Sequence, residues 1–257
     1  MSALEVFNIS KSYGGVRAVN DVSFKLERGQ IIALIGPNGA GKSSCFNILN
    51  GQVRANSGSV KFQGKEISHL NPREIWRLGV GRTFQIPETY GSMTVRENVQ
   101  MVILSKHGEL LNPLRKANRL FRNEAIALLE RVGMASQAER PANVLAYGDV
   151  KRLELAMAIA NDPVLLLMDE PTAGMAPDER NNLMKLTADL VRERNLAVLF
   201  TEHSMDVVFS YAHHILVLAR GNIIASGRPS AVRDNKEVQE VYLGSSAFLD
   251  VQEQQPA

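Results

Sequence analysis

Ile31-Ile32-Ala33-Leu34-Ile35-Gly36-Pro37-Asn38-Gly39-Ala40-Gly41-Lys42-Ser43 is the stretch on which the reading of this chain turns. Its first five residues are continuously apolar and mostly β-branched, as expected of a parallel strand covered on both faces. The next eight fit GxxxxGK[ST] and fall where such a strand should turn into a helix. Glycines let backbone N–H groups curl around phosphate oxygens, and the following helix points its free N–H groups and positive dipole end at the same anion. Lys42 would then reach the β and γ phosphates. Ser43 would offer its hydroxyl to Mg²⁺, a hard cation that prefers oxygen ligands. The stretch reads as a nucleoside triphosphate site.

Working outward, three more buried-strand runs follow, Val164 to Met168, Leu196 to Phe200 and Ile215 to Leu218, with helical segments between them. That alternation predicts an α/β core with a mostly parallel sheet. Upstream, Phe7-Asn8-Ile9 and Val22-Ser23-Phe24-Lys25-Leu26 alternate as half-buried strands do, with Gly14-Gly15 as the turn of an antiparallel pair. From Thr94 to Ala160 the spacing is helical, so a helical insertion into the core is expected. Leu114, Leu120, Phe121, Leu128 and Leu129 fall near one helical face, with Arg115, Lys116, Arg119 and Arg122 largely elsewhere, a solvated face. The expected organisation is one domain over 1–244, its core at about 1–92 and 161–244 and its helical part at about 93–160. A polar tail over 245–257, Gln-rich from Asp250 onward, is expected to be disordered.

The 257 residues are 45% hydrophobic and 22% charged, the composition of an ordinary globular chain. Lys+Arg of 29 against Asp+Glu of 27 gives a net charge of +2, too balanced to argue for nucleic acid or an anionic membrane. The longest apolar run, Leu155 to Ala160, is far below the roughly 18 to 20 residues that span a bilayer. The opening residues carry no visible secretory signal, and the single Cys45 permits no internal disulfide, so a reducing cytoplasmic setting is the default.

Val164-Leu165-Leu166-Leu167-Met168-Asp169-Glu170 is an apolar strand ending in two carboxylates. Neighbouring strand side chains point to opposite sides, so the pair can divide two tasks. Carboxylates also end strands simply because they meet water. Beside a phosphate loop, however, Asp169 suits a metal-side role near Ser43, and Glu170 suits orienting and deprotonating a water at the γ-phosphate.

With these motifs in order along nearly its whole length, the chain resembles the ATP-binding cassette (ABC) family. The resemblance implies an ATPase with ATP and Mg²⁺ as ligands. Gly36, Pro37, Asn38, Gly39, Ala40, Gly41, Lys42, Ser43 and Ser44 would hold the phosphates, Tyr13 would lie under the adenine, and Ser43, Gln85 and Asp169 would face the metal. Gln85, in Arg82-Thr83-Phe84-Gln85, matches the glutamine that touches Mg²⁺ and water and senses the transmembrane partner. His203 matches the switch histidine at the γ-phosphate. Leu145-Ala146-Tyr147-Gly148-Asp149 occupies the place of the family's LSGGQ motif, ahead of a helix expected from Val150. In the family this segment covers the ATP of a second cassette in a head-to-tail dimer.

The sequence departs from the family pattern at three points. Ala146 replaces the signature serine and removes a hydroxyl, and Tyr147 replaces a glycine. Ala173-Gly174-Met175-Ala176 stands where SALD is common, so the aspartate that bridges subunits is missing. These segments, with Thr201-Glu202-His203 and Val241-Tyr242-Leu243-Gly244, look most like the cassettes of branched-chain (hydrophobic) amino acid importers. That branch implies two transmembrane permease subunits, a second ABC ATPase subunit that is identical or different, and indirectly a substrate-binding protein. No nucleic acid is implied, and the chain would be peripheral, on the cytoplasmic face of the inner membrane. The alternatives are another transporter class such as a lipopolysaccharide exporter, or a soluble non-transport ABC ATPase. His213-His214 is expected to be structural rather than metal-binding, since no spaced third ligand accompanies it. Met157, Met168 and Met184 read as core filling, and Cys45 as a small buried hydrophobe.

Overall fold

The computed structural model describes residues 2–109 and 120–242. The chain starts as a long hairpin, β1 (Ser2–Tyr13) and β2 (Val16–Glu27), turning at Gly14 and Gly15. It then enters β3 (Ile31–Ile35), all five residues of which are buried, and passes through the glycine-rich loop into α1 (Lys42–Leu49). β4 (Ser57–Phe62), β5 (Lys65–Glu66), α2 (Pro72–Arg77) and β6 (Val80–Thr83) follow. Asn71 and Glu74 start α2 with a capping box, in which each side chain satisfies the other's backbone N–H.

Next come α3 (Val95–Lys106), capped in the same way by Thr94 and Glu97, then α4 (Arg122–Arg131) and α5 (Tyr147–Ile159). The chain returns through β7 (Leu165–Asp169), α6 (Pro177–Arg194), β8 (Ala197–Thr201), α7 (Met205–Tyr211), β9 (His214–Ala219) and β10 (Asn222–Gly227). It ends its described part with α8 (Pro229–Arg233) and α9 (Lys236–Tyr242).

Two sheets result. The antiparallel one runs β2-β1-β4-β5, and the larger runs β10-β9-β3-β8-β7-β6, parallel except for the edge pair β9–β10. Its central strands are buried on both faces, which is why they read as unbroken apolar runs. The face carrying Ala33, Leu166, Val198 and Ile215 packs on α3 to α6. The opposite face, with Leu34, Leu167 and Leu199, packs on α1 and the antiparallel sheet.

The α/β architecture with an antiparallel sheet and inserted helices is as expected from the sequence. The differences are physical. β4 and β5 widen the expected antiparallel pair to four strands and were not read from the sequence. β6 was not foreseen, because Val80-Gly81-Arg82-Thr83 carries an arginine and a glycine and, among the described residues, lies at the sheet edge against β7. β10, an edge strand of partly buried residues, was likewise missed. α5 starts at Tyr147 rather than Val150: the signature residues are themselves its first turn, with Ala146 as an N-cap that supplies no side-chain bond.

Leu128 and Leu129 are buried as expected, Phe121 stacks on His107 at 4.5 Å, and Arg122 is exposed in a pair with Glu139. The expectations for Leu114, Arg115, Lys116, Arg119 and the 245–257 tail lie outside the described residues. No helix among the described residues is long and apolar enough to cross a membrane.

Candidate functional site

Parallel pairing brings the C-terminal ends of β3, β8 and β7 to one edge of the sheet, where ligands of open α/β sheets gather. From that edge the glycine-rich loop leaves β3. Gly36 (φ +155°) sits so close to β9 that a Cβ would lie 2.1 Å from the Leu218 carbonyl oxygen. Gly41 (φ +108°) would meet the Ala18 carbonyl oxygen at 2.1 Å. Only glycine fits either place. Ala18 belongs to the β1–β2 hairpin, which is latched to the loop through Gly221: Asn20 N–H donates to Gly221 O at 2.8 Å, and Gly221 N–H to Ala40 O at 2.9 Å.

Ala18, Asn38, Gly39, Ala40, Gly41, Lys42, Ser43, Ser44 and Glu170 line one cavity of about 320 Å³. Lys42 points back into the loop, its Nζ donating to Gly36 O at 2.6 Å and Pro37 O at 3.2 Å. Burial is the largest influence on this ammonium and lowers its pKa, against the opposing pull of Glu170 and Asp169. Cys45, one turn on, is fully buried, and burial pushes its thiol up to about 12.

Glu170 follows β7 in the left-handed region (φ +46°), a conformation a non-glycine residue holds only when its surroundings enforce it. The enforcement comes from β8: Glu170 N–H donates to Thr201 O at 3.2 Å and to Thr201 Oγ1 at 3.0 Å. The carboxylate is thereby turned into a cluster. Gln85 Nε2 donates to Glu170 Oε2 at 2.9 Å, and His203 Nε2 lies 3.0 Å from Glu170 Oε1. A carboxylate only accepts, so the facing imidazole nitrogen carries the proton.

Asp169, the last residue of β7, has different partners. Its Oδ1 accepts from Thr201 Oγ1 at 2.8 Å, and its Oδ2 is 3.6 Å from the Arg82 guanidinium. Glu202, almost fully buried, holds the segments that follow β7 and β8 together. Its Oε1 accepts from Thr172 N–H and Oγ1, both at 2.7 Å, and its Oε2 from His203 N–H at 3.1 Å.

Gln85, Glu170 and His203 thus converge beside the loop of Lys42 and Ser43. Of the three only Glu170 lines the cavity itself; Gly36, Pro37, Asp169, Tyr13 and residues 145–149 do not line it either. Tyr13 is half exposed at the end of β1, with the Lys11 ammonium 5.3 Å from its ring centroid. Tyr147 projects from the start of α5, against Gly174 and 5.8 Å from Lys151 Nζ. The roles of Thr201, Arg82 and Glu202 were not read from the sequence, because each acts across strands that are distant along the chain. His213 and His214 have structural partners: His213 Nδ1 accepts from Ile31 N–H at 3.0 Å, and His214 Nε2 is 2.8 Å from Ser226 Oγ.

A phosphate-loop strand–helix unit beside a carboxylate, an amide and an imidazole on the same sheet edge defines a P-loop ATPase. The family model described as "ABC transporter" matches residues 19–173, and a second, "Branched-chain amino acid ATP-binding cassette transporter", matches residues 222–247. The chain belongs to the ATP-binding cassette transporter family and is its ATP-binding, ATP-hydrolysing subunit.

It is 39% identical over 253 residues to the high-affinity branched-chain amino acid transport ATP-binding protein BraF of Pseudomonas aeruginosa, covering 95% of this chain and 98% of that one. It is 36% identical, with the same coverage, to the protein LivG of Escherichia coli, which bears the same description. Among solved structures it resembles the ADP conformation of MJ1267, an ATP-binding cassette of an ABC transporter (TM-score 0.85, 31% identity, 95% and 100% of the two chains). It also resembles a nucleotide-free cassette from an ABC transporter (TM-score 0.83, 30% identity, 94% and 99%).

Proposed function

We propose that the chain hydrolyses ATP with Glu170 as the group that orients and deprotonates the attacking water, and that this drives uptake of branched-chain or similar hydrophobic amino acids through partner permeases. The observation that carries the chemistry is the Glu170 carboxylate, held in a left-handed turn between Gln85 and His203 and lining the cavity of Lys42 and Ser43. In this reading the loop N–H groups and Lys42 bind the phosphates, and His203 holds the γ-phosphate against Glu170. Tyr13 stacks on the adenine.

The donors around the loop, the Ser43 hydroxyl, the Asp169 carboxylate and the Gln85 amide oxygen, are all hard oxygens and fit Mg²⁺. The described residues hold no cluster of three His, Cys, Asp or Glu, so the nucleotide's own oxygens would complete the shell. When bound, the ion would neutralise charge developing on the phosphates.

Residues 145–149, at the open start of α5, are proposed to close over the ATP of a second cassette. A groove of about 400 Å³ between α2, β6 and α5, walled by Trp76, Phe84, Tyr90 and Met157, is proposed to receive a permease subunit close to Gln85, with the exposed Ile86 next in sequence. We assign the core to 1–92 and 161–244 and the helical part to 93–160. A permease partner places the chain at the cytoplasmic face of the membrane. The substrate class rests on kinship with BraF and LivG, since the solute is bound by other subunits.

The test is purification of the tagged chain from mild-detergent membrane extracts, with co-purifying proteins identified by mass spectrometry. Recovery of two permease subunits and a cassette partner, followed by ATP-dependent uptake of leucine by the reconstituted complex, is expected. A chain recovered only with ribosomes or alone would overturn the transport reading, and uptake of an unrelated solute would overturn the substrate class.

A further inference from the structure

Two buried charges of α5 stand outside the nucleotide cavity, one of them, Glu154, at the wall of the α2–β6–α5 groove. Lys151 and Glu154 are 3.6 Å apart, with side chains 1% and 6% exposed. Their bonds go to one short piece of backbone, the segment that delivers Gln85. Lys151 Nζ donates to Phe84 O at 3.0 Å and to Gln85 O at 2.9 Å, while Glu154 Oε1 accepts from Phe84 N–H at 2.5 Å. That segment has just left β6 at Thr83 and, among the described residues, has no strand partner of its own there.

We propose that Lys151 and Glu154 are positioning residues for Gln85, a two-point clamp through which α5 sets where the glutamine meets Glu170. The inference rests on the assignment of Gln85 and Glu170 to the hydrolytic site.

The chemistry explains why charged groups are used. A lysine brings donors for two carbonyls at once and a carboxylate brings an acceptor for the N–H just before them, so these three polar groups of the segment are satisfied without water. Charges this deep are tolerated only because they face each other and the peptide dipoles. Burial lifts the Glu154 carboxyl, against the lowering effect of the Phe84 N–H and Lys151. Lys151 also lies 5.8 Å from the ring centroid of Tyr147, so the same ammonium touches the first turn of α5 and the glutamine segment. Neither Lys151 nor Glu154 lines the cavity around Lys42, which separates positioning from nucleotide binding.

The double variant Lys151→Met/Glu154→Leu tests the clamp, because exchanging a buried ion pair for apolar side chains of similar size is often neutral for stability. We expect kcat for ATP hydrolysis to fall roughly 10- to 100-fold, the scale for a misplaced catalytic group, with KM and the equilibrium Kd for ATP held within about twofold. Hydrogen exchange at the Phe84 amide should accelerate, and Lys151→Arg, which keeps the charge and the donors, should retain parental kcat. A folded double variant with parental kcat and unchanged Phe84 exchange would overturn the proposal.

Should the double variant not fold, Lys151→Gln takes its place. A loss of kcat beside a normal Lys151→Arg supports the clamp, and equal rates for the two overturn it. If the parent chain itself showed no hydrolysis dependent on Glu170, the site assignment would fail. Exchange at Phe84 would then decide the clamp alone, faster exchange sustaining it and unchanged exchange refuting it.

Discussion

Replacing Gly41 with alanine would place a methyl carbon 2.1 Å from the Ala18 carbonyl oxygen, on a residue whose φ is +108°. An unstrained C···O approach is about 3.3 Å or more, so over 1 Å of movement is needed between the phosphate loop and the hairpin. The backbone angle costs an L-residue about 1 to 3 kcal/mol and the overpacking about as much again, together ~2 to 6 kcal/mol. The free protein relieves this by letting the loop take another path. ATP binding must then restore the cradle, so the strain appears as lost affinity, and its lower end already corresponds to a Kd raised roughly 30-fold. Titration calorimetry with ATP on the parent and Gly41→Ala, alongside thermal unfolding to confirm the fold, measures it. Gly39→Ala is the control: its φ is +78° but nothing lies within 4 Å of the new carbon, so only the backbone term applies. A folded Gly41→Ala chain with parental ATP affinity, or a Gly39→Ala chain that loses more, would refute the reasoning.

Glu170→Gln should bind ATP normally yet hydrolyse it about 10²- to 10⁴-fold more slowly, the usual contribution of a general base; parental turnover would remove Glu170 from its role. Thr201→Val deletes the hydroxyl that donates to Asp169 and accepts from the Glu170 N–H. At about 1.5 to 3 kcal/mol for a bond to a charged group, the unfolding midpoint should drop by roughly 3 to 10 °C in calorimetry, with kcat lowered as well. Cys45, its thiol raised to about 12 by burial, should not react with a disulfide reagent at pH 8 in the folded chain and should react fully in denaturant. Burial lowers the pKa of His214 below 6.5, so the folded chain binds fewer protons there than the unfolded chain. Its contribution to stability is complete above pH 6.5 and is lost as pH falls through the lowered value. His214→Gln should therefore flatten the stability profile on the acid side of 6.5 in denaturant titrations.

The parts of this molecule legible in the sequence are those whose cause is local. The phosphate loop is eight consecutive residues with fixed demands, and β3, β7, β8 and β9 declare themselves because a strand covered on both faces must be apolar throughout. Strand alternation, beside a phosphate loop, suggested different tasks for Asp169 and Glu170, while the left-handed turn that sets the direction of Glu170 is not written in its neighbours. What stayed hidden depends on partners far along the chain: Thr201 steadies Asp169 and Glu170 from 31 to 32 residues away, and Lys151 reaches a backbone 66 to 67 residues upstream. β6 escaped notice because its polar Arg82 faces Asp169 instead of solvent. The start of α5 was placed three residues late because Ala146-Tyr147-Gly148 holds no capping side chain to announce a helix.

The strand order has a consequence for how the chain is made. β3 pairs only with β8 and β9, and Ala197, the first residue of β8, lies 162 positions after Ile35. At about 5 to 20 residues per second, a ribosome needs roughly 8 to 30 s to deliver that partner after the apolar strand has been synthesised. Throughout that interval Ile31 to Ile35 lack both neighbouring strands, so their backbone groups stay unpaired and only side-chain packing from the elements already made, or a chaperone, can shelter them. Stalled or truncated synthesis before residue 197 should leave a fragment in which the apolar strand leading into the phosphate loop is an unpaired, aggregation-prone segment.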